Sequence, residues 1–242
     1  MEFNSEPTGK RGDAVVASVI AIDGPAASGK STLACRLAEE LDYLYFDTGV
    51  MYRAVTLRAL EHGFALADEA AISELAARMN IDVQSADGDD LPYRVLVDGD
   101  DVTDRLRSPD VDANVSQVSA YRQVREAMTD RQRQIGSRGQ VVMVGRDIGT
   151  VVLPDADLKI YLEASVEARA RRRHLEILAK GGAARYQSIL DSMKARDEFD
   201  SNRAVAPLKV ADDAEIIDTT NLTVDQTLKR ALVLARGIES AG

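Results

Sequence analysis

The chain has 242 residues, 45% of them hydrophobic, enough to bury a sizeable core as one compact α/β body with inserted subdomains. Its net charge of −10, from 40 acidic against 30 basic residues, disfavours a broad nucleic-acid-binding surface but leaves room for a local basic pocket around a small anion. Cys35 is the only cysteine, which excludes an internal disulfide and a multi-cysteine zinc site, and no segment approaches the roughly 20 apolar residues of a membrane span. Met1 to Asp13 is polar and lacks the apolar centre of a signal peptide, so a flexible tail and a cytoplasmic location are expected.

The first element is an apolar run, Val15 to Ile22, that reads as a buried strand. Gly24-Pro25-Ala26-Ala27-Ser28-Gly29-Lys30-Ser31 follows and matches G-x-x-x-x-G-K-[ST] at every fixed position. Thr32 comes next, and Leu33, Leu37 and Leu41 then recur at helical spacing. Strand, glycine loop and helix thus stand in the order that cradles a triphosphate. Backbone N–H groups and the helix N-terminus would face the anion, Lys30 would reach the β- and γ-phosphates, and the Ser31 hydroxyl would ligate magnesium.

A short strand, Tyr43 to Phe46, ends at Asp47-Thr48-Gly49, and Val50 to Leu60 reads as a helix. Another helix over Glu69 to Met79 leads to Ile81–Gln84, a polar turn at Ala86 to Asp90, and Tyr93–Val97, which together read as a separate small sheet. Helical patterns over Asp110 to Ala120 and Gln123 to Gly136 precede the apolar strand Val141 to Val144, which delivers Gly145-Arg146-Asp147. A strand over Leu158 to Leu162, helices over Val166 to Leu178 and Ala184 to Asp197, a last strand over Glu215 to Asp218 and a helix over Val224 to Ile238 complete the chain. Strands alternating with helices predict a mainly parallel, right-handed sheet.

Polar groups that follow strand ends belong to the crevice at the carboxyl edge of such a sheet. That places Thr48, Tyr52 and Arg53 there, together with Arg146 and Asp147. Read locally, Arg53 also fits a solvated helix arginine, and Arg146-Asp147 also fits a structural ion pair. The arginines at 169, 171, 172 and 173 usually signal a solvated face; Arg169 shares a face with Arg172 or Arg173 but not with Arg171. Arg196 and Asp200 have the i, i+4 spacing of an intrahelical pair, or of a hinged group that closes over phosphates. His62 and His174 have no partners that suggest nucleophilic or metal chemistry, and the aspartates at 87, 89, 90, 98, 100 and 101 lack calcium-loop spacing and read as solvated turns.

Taken in order, these residues resemble the bacterial cytidylate kinase family among the nucleoside monophosphate kinases of the P-loop fold. The resemblance spans about Val19 to Ala235. Its markers are I-D-G-P-A-A-S-G-K-S-T, Phe46-Asp47-Thr48-Gly49 with Met51-Tyr52-Arg53, Ser116-Gln117-Val118, Val124-Arg125-Glu126, Gly145 to Val152, and Arg203-Ala-Val-Ala-Pro207-Leu208. It implies a single kinase domain over 14–242: a P-loop NTPase-type parallel sheet flanked by helices, an inserted monophosphate-binding subdomain at about 47–120 whose small sheet covers about 81–102, and a helical lid at about 169–203.

The resemblance also implies transfer of the ATP γ-phosphoryl group to CMP or dCMP, in line, with Mg2+ accompanying ATP and the chain acting as a monomer. Ser116, Arg125 and Asp147 would read the cytosine edge; Arg53, Arg146 and Arg203 would hold the monophosphate with support from Thr48 and Tyr52; Arg196 with Asp200 would meet the pentose. Arg172 and Arg173 would approach ATP from the lid, and Lys30, Arg146, Arg172, Arg196 and Arg203 form the expected catalytic set. Phe199 and Ser201 depart from the basic residues that relatives often carry there, which lowers the lid's charge. Other readings are a P-loop kinase for another small acceptor, UMP or shikimate, and a regulatory P-loop ATPase or GTPase. A switch would ordinarily show an N-K-x-D-type base-reading segment, and none is evident.

Overall fold

The computed structural model describes residues 16–86, 92–179, 181–203 and 205–237. The expected tail over 1–13, most of the polar turn after Ala86 and the residues from Ile238 onward lie outside them.

The central sheet is parallel throughout and has the order β2-β6-β1-β7-β8: β1 is Val19–Asp23, β2 Leu44–Asp47, β6 Val141–Val144, β7 Leu158–Glu163 and β8 Glu215–Asp218. β1 lies between β6 and β7, with Ile22 opposite Val144 on one side and Ile160 on the other. The inner strands β1 and β6, buried on both faces, are continuous apolar runs over Val19–Ile22 and Val141–Val144 rather than alternating ones, whereas β8 at the sheet edge buries only Ile217. Ile20, Ile22, Phe46, Val142, Met143 and Leu162 are each completely buried.

The helices are α1 (Lys30–Leu41), α2 (Gly49–Glu61), α3 (Glu69–Arg78), α4 (Pro109–Val118), α5 (Arg122–Gly136), α6 (Val166–Ala179), α7 (Tyr186–Asn202) and α8 (Val224–Ala235). α1 packs on β6 and α8, α3 on α5, and α2 on α4. Start signals match physical need: Ser108 caps α4 with Pro109 following, and Thr223 with Gln226 closes a capping box on α8. The predicted start of β1 at Val15 is too early. Pairing begins at Val19, where β6 supplies a partner, and the preceding Ala17 N–H instead bonds Ala235 at the end of α8.

The separate small sheet is antiparallel, with β3 (Ile81–Ser85), β4 (Tyr93–Val97) and β5 (Asp100–Asp101) in that order. It meets the main sheet through Tyr93 and Tyr45, whose ring centroids are 5.7 Å apart. Asp98 lies in the expected turn and accepts the Asn80 amide; Asp100 and Asp101, expected in a turn, instead form β5 because they pair with β4, and Asp100 also pairs with Arg58 and Arg105.

Phe46 is 0% exposed at the centre of this core. Phe46→Ala is expected to destabilise the chain by about 3–5 kcal/mol, read by urea denaturation, through lost burial and the cavity left behind.

Candidate active site

β1 ends at Asp23 and α1 begins at Lys30, so the glycine loop fills the gap at the carboxyl edge of the central strand. Gly24 has φ +147°, and a Cβ there would lie 2.1 Å from the Leu162 carbonyl oxygen, so no other residue fits. Gly29 stands at the N-cap of α1 with φ +98° and no side-chain cap, which leaves the first N–H groups of the helix available to an anion. Lys30 Nζ donates to the Pro25 carbonyl at 2.6 Å. Burial foremost, with Arg146 nearby, pushes the Lys30 ammonium well below its usual pKa. Ala26 accepts from Arg169 at 3.1 Å, Ser28 accepts from the Thr219 hydroxyl through its carbonyl at 3.0 Å, and the Ser28 side-chain hydroxyl is buried without a partner.

A cavity of about 720 Å³ opens above this loop. Ala26, Ala27, Lys30 and Ser31 line one part of it. Thr48, Tyr52 and Arg53 of the β2–α2 segment, Ser116 of α4, Arg125 of α5, and Arg146 and Asp147 after β6 line the remainder. Arg196, Asp200 and Arg203, from α7 and the residue after it, also border the cavity. Residues as far apart in the chain as Ala26 and Arg203 therefore converge, because parallel strands open at one edge and the helices that follow them close over it.

Their pairing is mutual rather than local. Asp147 accepts from Arg125 at 2.6 Å and from Arg203 at 3.3 Å, so the adjacent Arg146 and Asp147 do not pair with each other. Arg146 instead donates to Asp200 at 2.9 Å and to the Gly24 carbonyl at 3.2 Å. The Arg125 guanidinium also lies 5.4 Å from the Tyr52 ring centroid. Arg53 donates to Asp112 at 2.5 Å and to the Leu106 carbonyl at 3.1 Å, and the Thr48 hydroxyl donates to the Val144 carbonyl at 2.9 Å. Arg196 and Asp200, predicted as an i, i+4 pair, stand 4.0 Å apart because Arg146 engages the carboxylate. Burial, then the neighbouring Arg125, lowers the Arg203 pKa.

The two lid arginines separate. Arg173 borders the large cavity and pairs with Glu176 at 2.8 Å. Arg172 lines a smaller cavity of about 150 Å³ together with Gly29, Thr32 and Thr219, and donates to the Thr219 hydroxyl at 3.1 Å and to its carbonyl. In this arrangement Arg172 does not line the cavity that holds Lys30, contrary to its expected membership of one catalytic cluster.

Asp112 and Asp23 had no expected role, and Arg169, expected on a solvated face, is buried instead because it is drawn to the glycine loop and to α7. Asp112 partners Arg53 from 59 positions away, with no local signal. Arg169, 4% exposed, donates to Ala26 and grips Asp197 of α7 with both terminal nitrogens at 3.1 and 2.5 Å, pinning α7 to the glycine loop. Asp23, 5% exposed, accepts the Ile148 and Gly149 N–H groups at 2.9 and 2.7 Å. Its place in the marker I-D-G-P, as a carboxylate closing a buried apolar strand, was the available signal. Burial foremost raises the Asp23 pKa from 3.8 to about 6. His62 and His174 contact the backbone carbonyls of Arg58 and Ala184, away from this chemistry.

The parallel sheet, the glycine loop on its central strand and the cationic cavity above that loop define a P-loop nucleotide-binding protein. Residues 20–236 match the family model described as cytidylate kinase, and the chain belongs to that family. It is 49% identical over 218 residues to the cytidylate kinase of Exiguobacterium sibiricum, covering 90% of this chain and 96% of that one. It is 47% identical over 214 residues to the cytidylate kinase of Bacillus subtilis, covering 88% and 94%. Among solved structures, a shikimate kinase from Bacteroides thetaiotaomicron is similar at a TM-score of 0.44 and 14% identity, over 88% of this chain and 94% of that one.

Because the folded pKa of Asp23 is raised, its contribution to stability is fully present below the unfolded value of 3.8 and is lost as pH rises through about 6. Between pH 7.5 and 5 the wild type is therefore expected to gain about 1 kcal/mol on Asp23→Asn, measured by chemical denaturation at each pH. Gly24→Ala is expected to abolish ATP binding in a titration, since the added Cβ overlaps the Leu162 carbonyl.

Proposed function

We propose that the chain transfers the γ-phosphoryl group of ATP to CMP or dCMP, forming ADP and CDP or dCDP. The observation that carries this reading is the single cavity in which Lys30 and the glycine loop face a cluster of Arg53, Arg125, Arg146, Asp147 and Arg203. A switch or ATPase needs only the first half; the second half suits a monophosphate and a base.

The donor side takes ATP on residues 24–32, with the loop amides and Lys30 on its phosphates. Leaving the Pro25 carbonyl for a phosphate oxygen would give Lys30 a charged partner in a buried site. Arg172, beside Thr32 and Thr219, serves the part of ATP remote from the transferring group, whereas Arg173 serves the phosphates. On the acceptor side Arg53, Arg146 and Arg203 hold the monophosphate, Thr48 and Tyr52 support it, and Arg196 with Asp200 meets the pentose.

Ser116, Arg125 and Asp147 read the base. Each Asp147 oxygen already accepts from one arginine, and a carboxylate oxygen has capacity for another donor, here the cytosine amine. Uracil would set an oxygen against that carboxylate and cost roughly 1–3 kcal/mol.

Mg2+ fits the donor set available. Ser31 and Asp47 border the same cavity with hard oxygen ligands, and Ser31 is the residue that would hold the ion. When bound, the ion neutralises charge on the ATP phosphates. Arginine forks and the buried lysine do the remaining work of alignment and charge stabilisation, and an acceptor phosphate that is already ionised needs no general base. The segment at about 169–203 is the lid, and its closure would exclude water from the transferring group. The insertion at about 47–120, with the small sheet at about 81–102, forms the monophosphate-binding subdomain. One chain supplies both halves of the cavity, which supports a monomeric enzyme. Among the described residues no helix is long and apolar enough to cross a membrane.

A coupled ADP-release assay with CMP, dCMP, UMP, AMP and shikimate tests the acceptor: CMP or dCMP is expected to turn over fastest, and faster turnover of UMP or shikimate would overturn the assignment. In the same assay Lys30→Ala is expected to lower kcat about 100-fold or more with the fold retained. Arg173→Ala is expected to act on kcat and Arg172→Ala on the KM for ATP; the reverse pattern would interchange their roles.

A further inference from the structure

The loop that carries Arg146 and Asp147 is held from below. Asp23, the last residue of β1, is absent from the lining of the large cavity, and its two carboxylate oxygens accept from Ile148 and Gly149 at 2.9 and 2.7 Å. Those two amides directly follow Asp147. They open a tight turn over Ile148–Val152 in which the Val151 and Val152 N–H groups both bond the Asp147 carbonyl. From the same loop, Arg146 reaches back to the carbonyl of Gly24, the residue after Asp23. Asp23 and Gly24, at the end of the donor strand and the start of the glycine loop, thus meet Arg146, Ile148 and Gly149 on either side of Asp147. A bidentate carboxylate on adjacent amides fixes distance and rotation together, which one hydrogen bond cannot do.

We propose that Asp23 is a positioning residue for base selection: its carboxylate holds the loop bearing Arg146 and Asp147 in register with the phosphate loop, without touching either nucleotide. The inference rests on the reading of Asp147 as the group that meets the cytosine amine.

Charge is needed for this task. An ionised carboxylate presents two strong acceptors, whereas an amide presents one acceptor and one donor, so Asn in this place would set its NH2 against one of the two N–H groups. Ionisation at this depth runs against stability, since burial raises the Asp23 pKa to about 6. A buried group kept charged at neutral pH against that tendency serves the geometry of a site rather than the strength of the core.

The test is steady-state kinetics with CMP, UMP and ATP for the wild type, Asp23→Asn and Asp147→Asn, with a thermal melt of each to establish folding. Asp23→Asn is expected to lower kcat/KM for CMP about 10- to 100-fold. UMP should be affected less, so that the CMP-to-UMP ratio falls by about fivefold or more, while the KM for ATP stays within about twofold. Equal losses for CMP and UMP would make Asp23 a purely structural residue and overturn the proposal, provided that Asp147→Asn changes the ratio. If Asp147→Asn leaves the ratio unchanged, the base-reading assignment fails and the proposal falls with it. Asp23→Glu keeps the charge but displaces the carboxylate by one methylene, and is expected to lower the ratio too. Should Asp23→Asn fail to fold, an unchanged ratio in Asp23→Glu overturns the proposal on its own.

Discussion

Parallel pairing of β1 with β6 is the constraint on which the site depends. Ile22 stands opposite Val144, and the Gly145 N–H continues the ladder to the Ile22 carbonyl, so the two strands release their chains side by side at the same edge. The glycine loop leaves from one and Gly145-Arg146-Asp147 from the other. Antiparallel strands would have sent these segments to opposite ends of the sheet. The pairing is favoured because Val19–Ile22 and Val141–Val144 are apolar and almost wholly buried, as inner strands of a parallel sheet covered on both faces are.

Above that edge an acidic chain has gathered arginines. Each has a resting carboxylate or carbonyl: Asp112 for Arg53, Asp147 for Arg125 and Arg203, Asp200 for Arg146, Asp197 for Arg169. Such pairs contribute little net stability, because desolvating two charges offsets most of their attraction. Their value is geometric. Planar guanidinium forks held by fixed carboxylates stand ready for paired phosphate oxygens, and need little further ordering when a ligand exchanges for a carbonyl or carboxylate.

Much of the fold was legible because its signals are local. The glycine motif carries its own turn and helix start, and Val141–Val144 is a bare apolar strand. Boundaries depended on partners. β1 starts at Val19 rather than Val15 because pairing to β6 starts there, and α7 runs on to Asn202, where Asp200 in its last turn is buried against Arg146. The arginine run over 169–173 was the least legible. Helical spacing let Arg169 share a face with Arg172 or Arg173, but only packing shows that Arg169 enters the interior to hold Ala26 and Asp197, that Arg172 holds Thr219, and that Arg173 faces the large cavity.

The sequence by itself determined the residue types: a phosphate loop at 24–31, an alternating strand and helix pattern that leads to a parallel sheet, and a set of arginines and aspartates at strand and helix ends. These are near-neighbour properties, set by backbone sterics, apolar periodicity and charge. Tertiary structure alone decided which charge meets which. Arg146 and Asp147 are adjacent in the chain yet pair with Asp200 and Arg125, because the backbone leaving a strand points successive side chains in different directions and the nearest partners come from other elements. The buried Asp23 carboxylate beneath that loop belongs to the same category, since its bonds to Ile148 and Gly149 exist only where β1 and β6 come together.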